Sequence, residues 1–135
     1  MYSFGIIMDP IQNIDITKDS TIAIIESLQK SSKIFYIIPG TLHINNKKVY
    51  GELGRLKIDS KKQKFYEVSS PRLEELTELD CVLFRLDPPV DEYYIQLTYI
   101  LDNLESQGVL IINSPQSLRD FNEKILGNIL SNKQI

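Results

Sequence analysis

The sequence predicts an α/β domain of three layers, with a mainly parallel, Rossmann-like sheet between helices and a small antiparallel insertion around residues 41–68. Three observations predict it. Short, near-continuous apolar runs at residues 2–8, 34–38, 81–84 and 109–112 have the length and composition of strands covered on both faces. Stretches of helical periodicity separate several of them, which is the rhythm of βαβ units. Each run ends near a proline, at Asp9-Pro10, Pro39-Gly40, Asp87-Pro88-Pro89 or Asn113-Ser114-Pro115, where a ladder cannot continue. A chain of 135 residues with 42% hydrophobic content has enough apolar material for one domain with its own core.

Taken in order, residues 2–8 (YSFGIIM) form the first buried strand. Thr17-Lys18-Asp19-Ser20 then offers side chains suited to a helix N-cap, and Ile22, Ile25, Leu28 and Gln29 follow at helical spacing up to Ser32. Residues 34–38 (IFYII) are the second strand, parallel to the first because a helix connects them. From residue 41 the pattern changes. Leu42-His43-Ile44 and Val49-Tyr50 flank Asn45-Asn46, a pair that tolerates positive φ, so a hairpin is expected. Extended pieces around 56–58 and 65–68 flank the basic run Lys61-Lys62-Gln63-Lys64, and this stretch is expected to be polar and peripheral. Residues 71–78 (PRLEELTE) read as a short helix, with proline early and acids in its turns. Residues 81–84 are again a strand. Residues 91–107 form a helix with Tyr94, Leu97, Ile100 or Leu101, and Leu104 inward and Gly108 just past its end. After the last strand at 109–112, Ser117-Leu118-Arg119-Asp120 opens a final helix with Leu118, Phe121, Ile125 and Ile129 on one stripe.

Composition excludes several function classes. Fifteen Lys and Arg against eighteen Asp and Glu leave a net charge of -3, so no basic face for nucleic acid is expected. One cysteine rules out an intrachain disulfide and a Cys-based zinc cluster. No apolar stretch reaches eighteen residues, and the start meets Asp9 before it could become a signal segment; a soluble, cytoplasmic protein with no membrane partner is expected. Neither a G-x-x-x-x-G-K-[ST] phosphate loop nor a G-x-G-x-x-G turn is present. His43, the single histidine, is expected at the surface, and Cys81 opens an apolar strand as a buried structural thiol. No metal-ligand set is expected.

In an open parallel sheet, ligands bind beyond the carboxyl ends of the strands. Asp9-Pro10, Arg85-Leu86-Asp87-Pro88-Pro89 and Asn113-Ser114-Pro115 all fall there. Arg85 closes an otherwise apolar strand, and its planar fork suits a carboxylate or phosphate. The alternative is a guanidinium paired with Asp87 or Asp9 that merely caps the sheet. Asp19 and Ser20 stand at the helix start on the same edge, either as ligand contacts or as ordinary caps.

The stretches GIIMDPIQNIDITKDST (residues 5–21) and RLDPPVDEYYIQLTYILDNLESQGVLIINSPQSLRDFNEKIL (residues 85–126) resemble the N-terminal domain of the bacterial glutathione synthetases, a family of ATP-grasp ligases. The combined pattern MDP, KDS, R-x-DPP-x-D and N-x-PQSLRD-x-NEK carries the resemblance, with residues 40–79 matching mainly in pattern. The resemblance implies a pre-ATP-grasp fold. It implies that residues 1–123 are the substrate-side domain and residues 124–135 the beginning of an ATP-grasp part. It further implies ligation of γ-glutamylcysteine to glycine through an acyl phosphate, with ATP and Mg²⁺ bound mainly by the ATP-grasp part. By the same resemblance Arg85 contacts the peptide substrate and Lys124 approaches the nucleotide phosphates. Asp19 and Ser20 are substrate-side contacts, and a homo-oligomer or a separate ATP-grasp chain is the partner. No catalytic residue is assigned. Leu86 stands where the family usually has Lys, which removes one cation from the substrate edge. Two alternatives belong to other classes: a non-catalytic remnant, and a free-standing small-ligand-binding or regulatory module. A receiver-like module would use Asp9 and Asp87, but it would also want an acid beside Asp9 and a Lys after the last strand.

Overall fold

In the computed structural model the described residues are 1–17, 19–86 and 91–112. The final helix expected from Ser117, Lys124 and the boundary at 123/124 lie outside them, as does Asp87. Among the described residues the sheet has eight strands: β1 (Tyr2–Met8), β2 (Ser32–Ile37), β3 (His43–Asn45), β4 (Lys48–Ile58), β5 (Tyr66–Val68), β6 (Arg72–Glu75), β7 (Cys81–Arg85) and β8 (Leu110–Ile112). Helix α1 (Ser20–Leu28) follows β1, and α2 (Glu92–Ser106) follows β7.

Strands β2, β1, β7 and β8 lie side by side and parallel. Because side chains alternate along a strand, β1 serves two cores. Phe4, Ile6 and Met8 pack with Ile22, Ile25 and Leu28 of α1. Ile7 faces the other way, with Val82, Phe84 and the Leu97, Leu101 and Leu104 stripe of α2. One helix on each face gives the three layers. Both helices start at an aspartate cap: Asp19 accepts from the Thr21 N–H at 2.8 Å, and Asp91 from the Tyr94 N–H at 2.9 Å. Gly108 follows α2 at φ 99, a conformation other residues rarely adopt. Among the described residues no helix is long and apolar enough to cross a membrane.

The antiparallel part is more central than expected. Leu53 of β4 pairs with Ile37 on one edge and Arg72 on the other, and Tyr50 with His43 and Glu75. Strands β2 and β3 therefore run end to end along one edge of β4, and β5 and β6 along the other. Far from being peripheral, β4 extends the main sheet and buries Val49, Leu53, Leu56 and Ile58. Its hydrophobic face changes sides midway. Val49 and Leu53 pack on the α2 side, whereas Leu56 and Ile58 pack on the α1 side. That switch hides the strand from an alternation test, which finds only fragments. The hairpin turn falls one residue later than expected, on Asn46 and Lys47 at φ 53 and 67, the pattern of a two-residue turn matched to strand twist.

Residues 71–78 are not a helix. Arg72–Glu75 is strand β6, paired with Tyr50–Leu53, and Leu76–Glu78 is one 3₁₀ turn. The reason is tertiary. Leu73 is 61% exposed, so no core packing decides its conformation, while the open edge of β4 supplies ladder partners that outweigh local propensity.

Cys81 is buried as expected, and burial, with the Asp80 charge adding, pushes its thiol up to about 12. At pH 8 the native protein is expected to resist alkylation that proceeds readily in denaturant, a difference read by mass spectrometry. The sign of the pH dependence follows. The unfolded thiol ionises near 9.0 and the folded one near 12, so this group leaves stability unchanged below pH 9 and lowers it progressively from there to pH 12.

Candidate functional site

Met8 and Arg85 are register partners at the carboxyl ends of adjacent strands. The chain leaves β1 toward α1 on one face and β7 toward α2 on the other, so a crevice opens between the two exits. Arg85 continues the α1-side alternation of Cys81 and Leu83. Its Nε–H donates to Thr21 Oγ1 at 3.1 Å and its Nη2 to Ser20 Oγ at 3.0 Å. These two hydroxyls, not the carboxylate of Asp9, are its partners among the described residues. Hydroxyls fix the fork without neutralising its charge.

The side chain borders a cavity of about 630 Å³ lined also by Asp9, Asn13, Asp15, Asp19 and Ser20. The loop that walls it is built from local devices. After Pro10 comes one 3₁₀ turn, Ile11–Asn13, and the Ile11 N–H donates to Tyr36 Oη at 3.2 Å. Tyr36 is buried on β2, and that burial raises its pKa, so its phenol stays neutral under the loop. Asp15 accepts from the Thr17 hydroxyl at 2.7 Å and the Thr17 N–H at 3.0 Å, and these donors hold its carboxyl below the ordinary range. One guanidinium thus faces a rim of three carboxylates, Asp9, Asp15 and Asp19. Such a rim disfavours a simple polyanion and suits a ligand with an anionic group at one end and an ammonium at another.

Of the residues singled out from sequence, Arg85, Asp19 and Ser20 meet at this crevice. Asp19 caps α1, and the capping carboxylate keeps Ser20 and Thr21 where Arg85 meets them. Asp19→Ala is expected to lower stability by about 1 kcal/mol, with Asp19→Asn close to neutral, as read by urea unfolding. Thr21, Asn13, Asp15 and Tyr36 escape the sequence reading. The Asp15-x-Thr17 spacing carries a local turn signal. Tyr36 carries none, because its place under the loop depends on the Ile6–Tyr36 pairing between strands. On the other side of the strand ends, a smaller hollow of about 250 Å³ is lined by Leu86, Ile38, Leu42, Pro39 and Tyr93. Leu86 is thus an apolar wall beside the crevice, and Tyr93 Oη accepts from the Gly40 N–H at 2.9 Å to close it.

The family profile described as "Prokaryotic glutathione synthetase, N-terminal domain" matches residues 2–119. A glutathione synthetase of Vibrio parahaemolyticus is 44% identical over 126 residues, which cover 93% of this chain and 40% of the relative. One from Coxiella burnetii is 38% identical over 122 residues, covering 90% and 38%, and one from Escherichia coli O127:H6 is 40% identical over 126 residues, covering 93% and 40%. The chain spans about 40% of the length of the relatives it matches.

Proposed function

We propose a role that starts from the chain's membership: it belongs to the prokaryotic glutathione synthetase family and is that family's N-terminal domain. In this reading it supplies the peptide side of a ligation in which γ-glutamylcysteine and glycine are joined with ATP. The terminal carboxylate of the dipeptide takes the γ-phosphoryl group of ATP, and the glycine amine then displaces phosphate from the acyl phosphate. The observation that carries the reading is Arg85, a guanidinium that among the described residues is held by two hydroxyls, at the wall of a cavity rimmed by aspartates. A dipeptide with two carboxylates and one ammonium matches that mixture. Arg85 receives a carboxylate in a forked geometry, while the aspartate rim receives the ammonium. Ser20 and Asp19 orient the fork and the helix start beneath it.

Mg²⁺ and ATP supply the phosphoryl group and its charge neutralisation. Among the described residues no group of three or more His, Cys, Asp and Glu converges to hold a metal, so these residues do not fit that part of the chemistry. Lys124 remains the chain's own candidate for a phosphate contact. A homo-oligomer or a separate ATP-grasp chain as partner, and a cytoplasmic location where nucleotide is available, belong to the same proposal.

The test is a titration of the isotopically labelled 135-residue chain with γ-glutamylcysteine, followed by NMR. Saturable shifts are expected at Asp9, Asn13, Asp15, Ser20, Thr21 and the Arg85 Nε. The same preparation is expected to release no phosphate from ATP. Shifts confined to another part of the sheet, or a ligase or ATPase rate from these 135 residues alone, would overturn the reading.

A further inference from the structure

We infer a second ligand site at the opposite end of the sheet, a hollow that takes the carboxylate of a small organic acid on Arg55. It is independent of the role proposed for Arg85. Arg55 lies on β4 opposite Phe35 of β2, on the α2 side of the sheet, and its guanidinium carbon sits 5.9 Å from the centre of the Phe35 ring. The side chain is half-buried, and among the described residues its fully buried Nε has no hydrogen-bond partner and its guanidinium makes no ion pair. An orphaned buried donor costs stability, and an arginine kept only for the fold would be expected to use its fork. Arg55 borders a cavity of about 540 Å³ on this face, floored by Phe35, Leu53 and Leu79 and lined also by Ser69, Ser70 and Arg72.

The backbone holds this wall firmly. The Arg55 N–H donates to Ser69 Oγ at 2.7 Å, and the Ser69 N–H returns a bond to the Arg55 carbonyl at 2.9 Å. Having accepted from Arg55, the Ser69 hydroxyl can still donate its own proton. Gly54 makes this closeness possible, because a Cβ there would lie 2.6 Å from the Ser69 carbonyl oxygen. Arg55, Arg72 and the Ser69 hydroxyl border one hollow with an apolar floor, which fits an oxyanion with a hydrocarbon body. Glu74, Glu75 and Glu78 border the same hollow, although Glu75 is drawn toward Lys48 at 4.0 Å. Their charge selects a singly charged carboxylate over a doubly charged phosphate.

The test compares two probes, propionate and inorganic phosphate, titrated into the labelled chain. Propionate is expected to give saturable shifts at Ser69, Ser70 and the Arg55 Nε, with Asp9–Thr21 unmoved. Arg55→Met is expected to weaken propionate by about tenfold or more, and Arg55→Lys, which keeps the charge without the fork, to weaken it as well. Unfolding in urea separates binding from structure. With the orphaned donor gone, Arg55→Met is expected to unfold at an unchanged or higher midpoint. Tighter binding of phosphate than of propionate, shifts that survive in Arg55→Met, or no saturable shift with propionate would each overturn the site.

Discussion

Replacing Phe4 by alanine is expected to lower the unfolding free energy by about 3–5 kcal/mol, a large share of the roughly 5–15 kcal/mol that holds a domain of this kind folded. Phe4 is 1% exposed at the middle of the central strand. Its register partners are Ile34 on one side and Cys81 on the other, and its ring belongs to the core that includes Ile22, Ile25 and Leu28 of α1. Strands cannot close on the space it leaves, because hydrogen bonds to both neighbours fix their positions. The cost is therefore the lost transfer energy together with an unrelieved cavity. Urea unfolding followed by circular dichroism should show a lower midpoint with an unchanged slope. Tyr99→Ala is the control: that residue is 70% exposed on α2, and its loss should stay within about 0.5 kcal/mol. A Phe4→Ala cost below about 1 kcal/mol would mean that β1 is not the centre of the sheet.

What the sequence alone makes legible divides along one physical line. Elements whose hydrophobic pattern keeps one period over their whole length were legible. Examples are β1, β7, and α2 with its Leu97, Leu101 and Leu104 stripe. Elements defined by a partner distant in sequence were not. Strand β4 changes its buried side at Gly54-Arg55, so no window of alternation spans it. Strand β6 is helical by composition and extended only because β4 presents an open edge. The same division runs through the crevice. Arg85 was visible because a charge at the end of an apolar strand is conspicuous, and Asp19 and Ser20 because helix starts have a local signature. Tyr36 reaches the site only through the pairing of β1 with β2, and nothing local marks it. Arg55 was invisible for a similar reason: a charged residue in a half-exposed strand is unremarkable until its Nε is found buried with no hydrogen-bond partner among the described residues.

Arg85→Met is expected to weaken binding of γ-glutamylcysteine by about ten- to a hundredfold, the effect of removing charge-assisted hydrogen bonds to a carboxylate. Stability should change by about 1–2 kcal/mol, because the exposed Ser20 hydroxyl can turn to water while the buried Thr21 hydroxyl loses a donor. The ligand readout decides. Loss of a guanidinium that only capped the sheet would lower stability and leave the ligand alone, whereas loss of a binding guanidinium weakens the ligand as well. Arg85→Lys sharpens the contrast, since it keeps the charge at the crevice but cannot bond Thr21 and Ser20 while presenting a fork. Its affinity should fall between those of the parent and the Met variant. Titrations at two ionic strengths add a further check. Part of the attraction acts through a half-exposed charge, so salt should weaken the parent more than the Met variant. If Met, Lys and parent bind the dipeptide equally, the aspartate-rimmed cavity beside α1 is not where the peptide sits, and the role assigned to this domain fails with it.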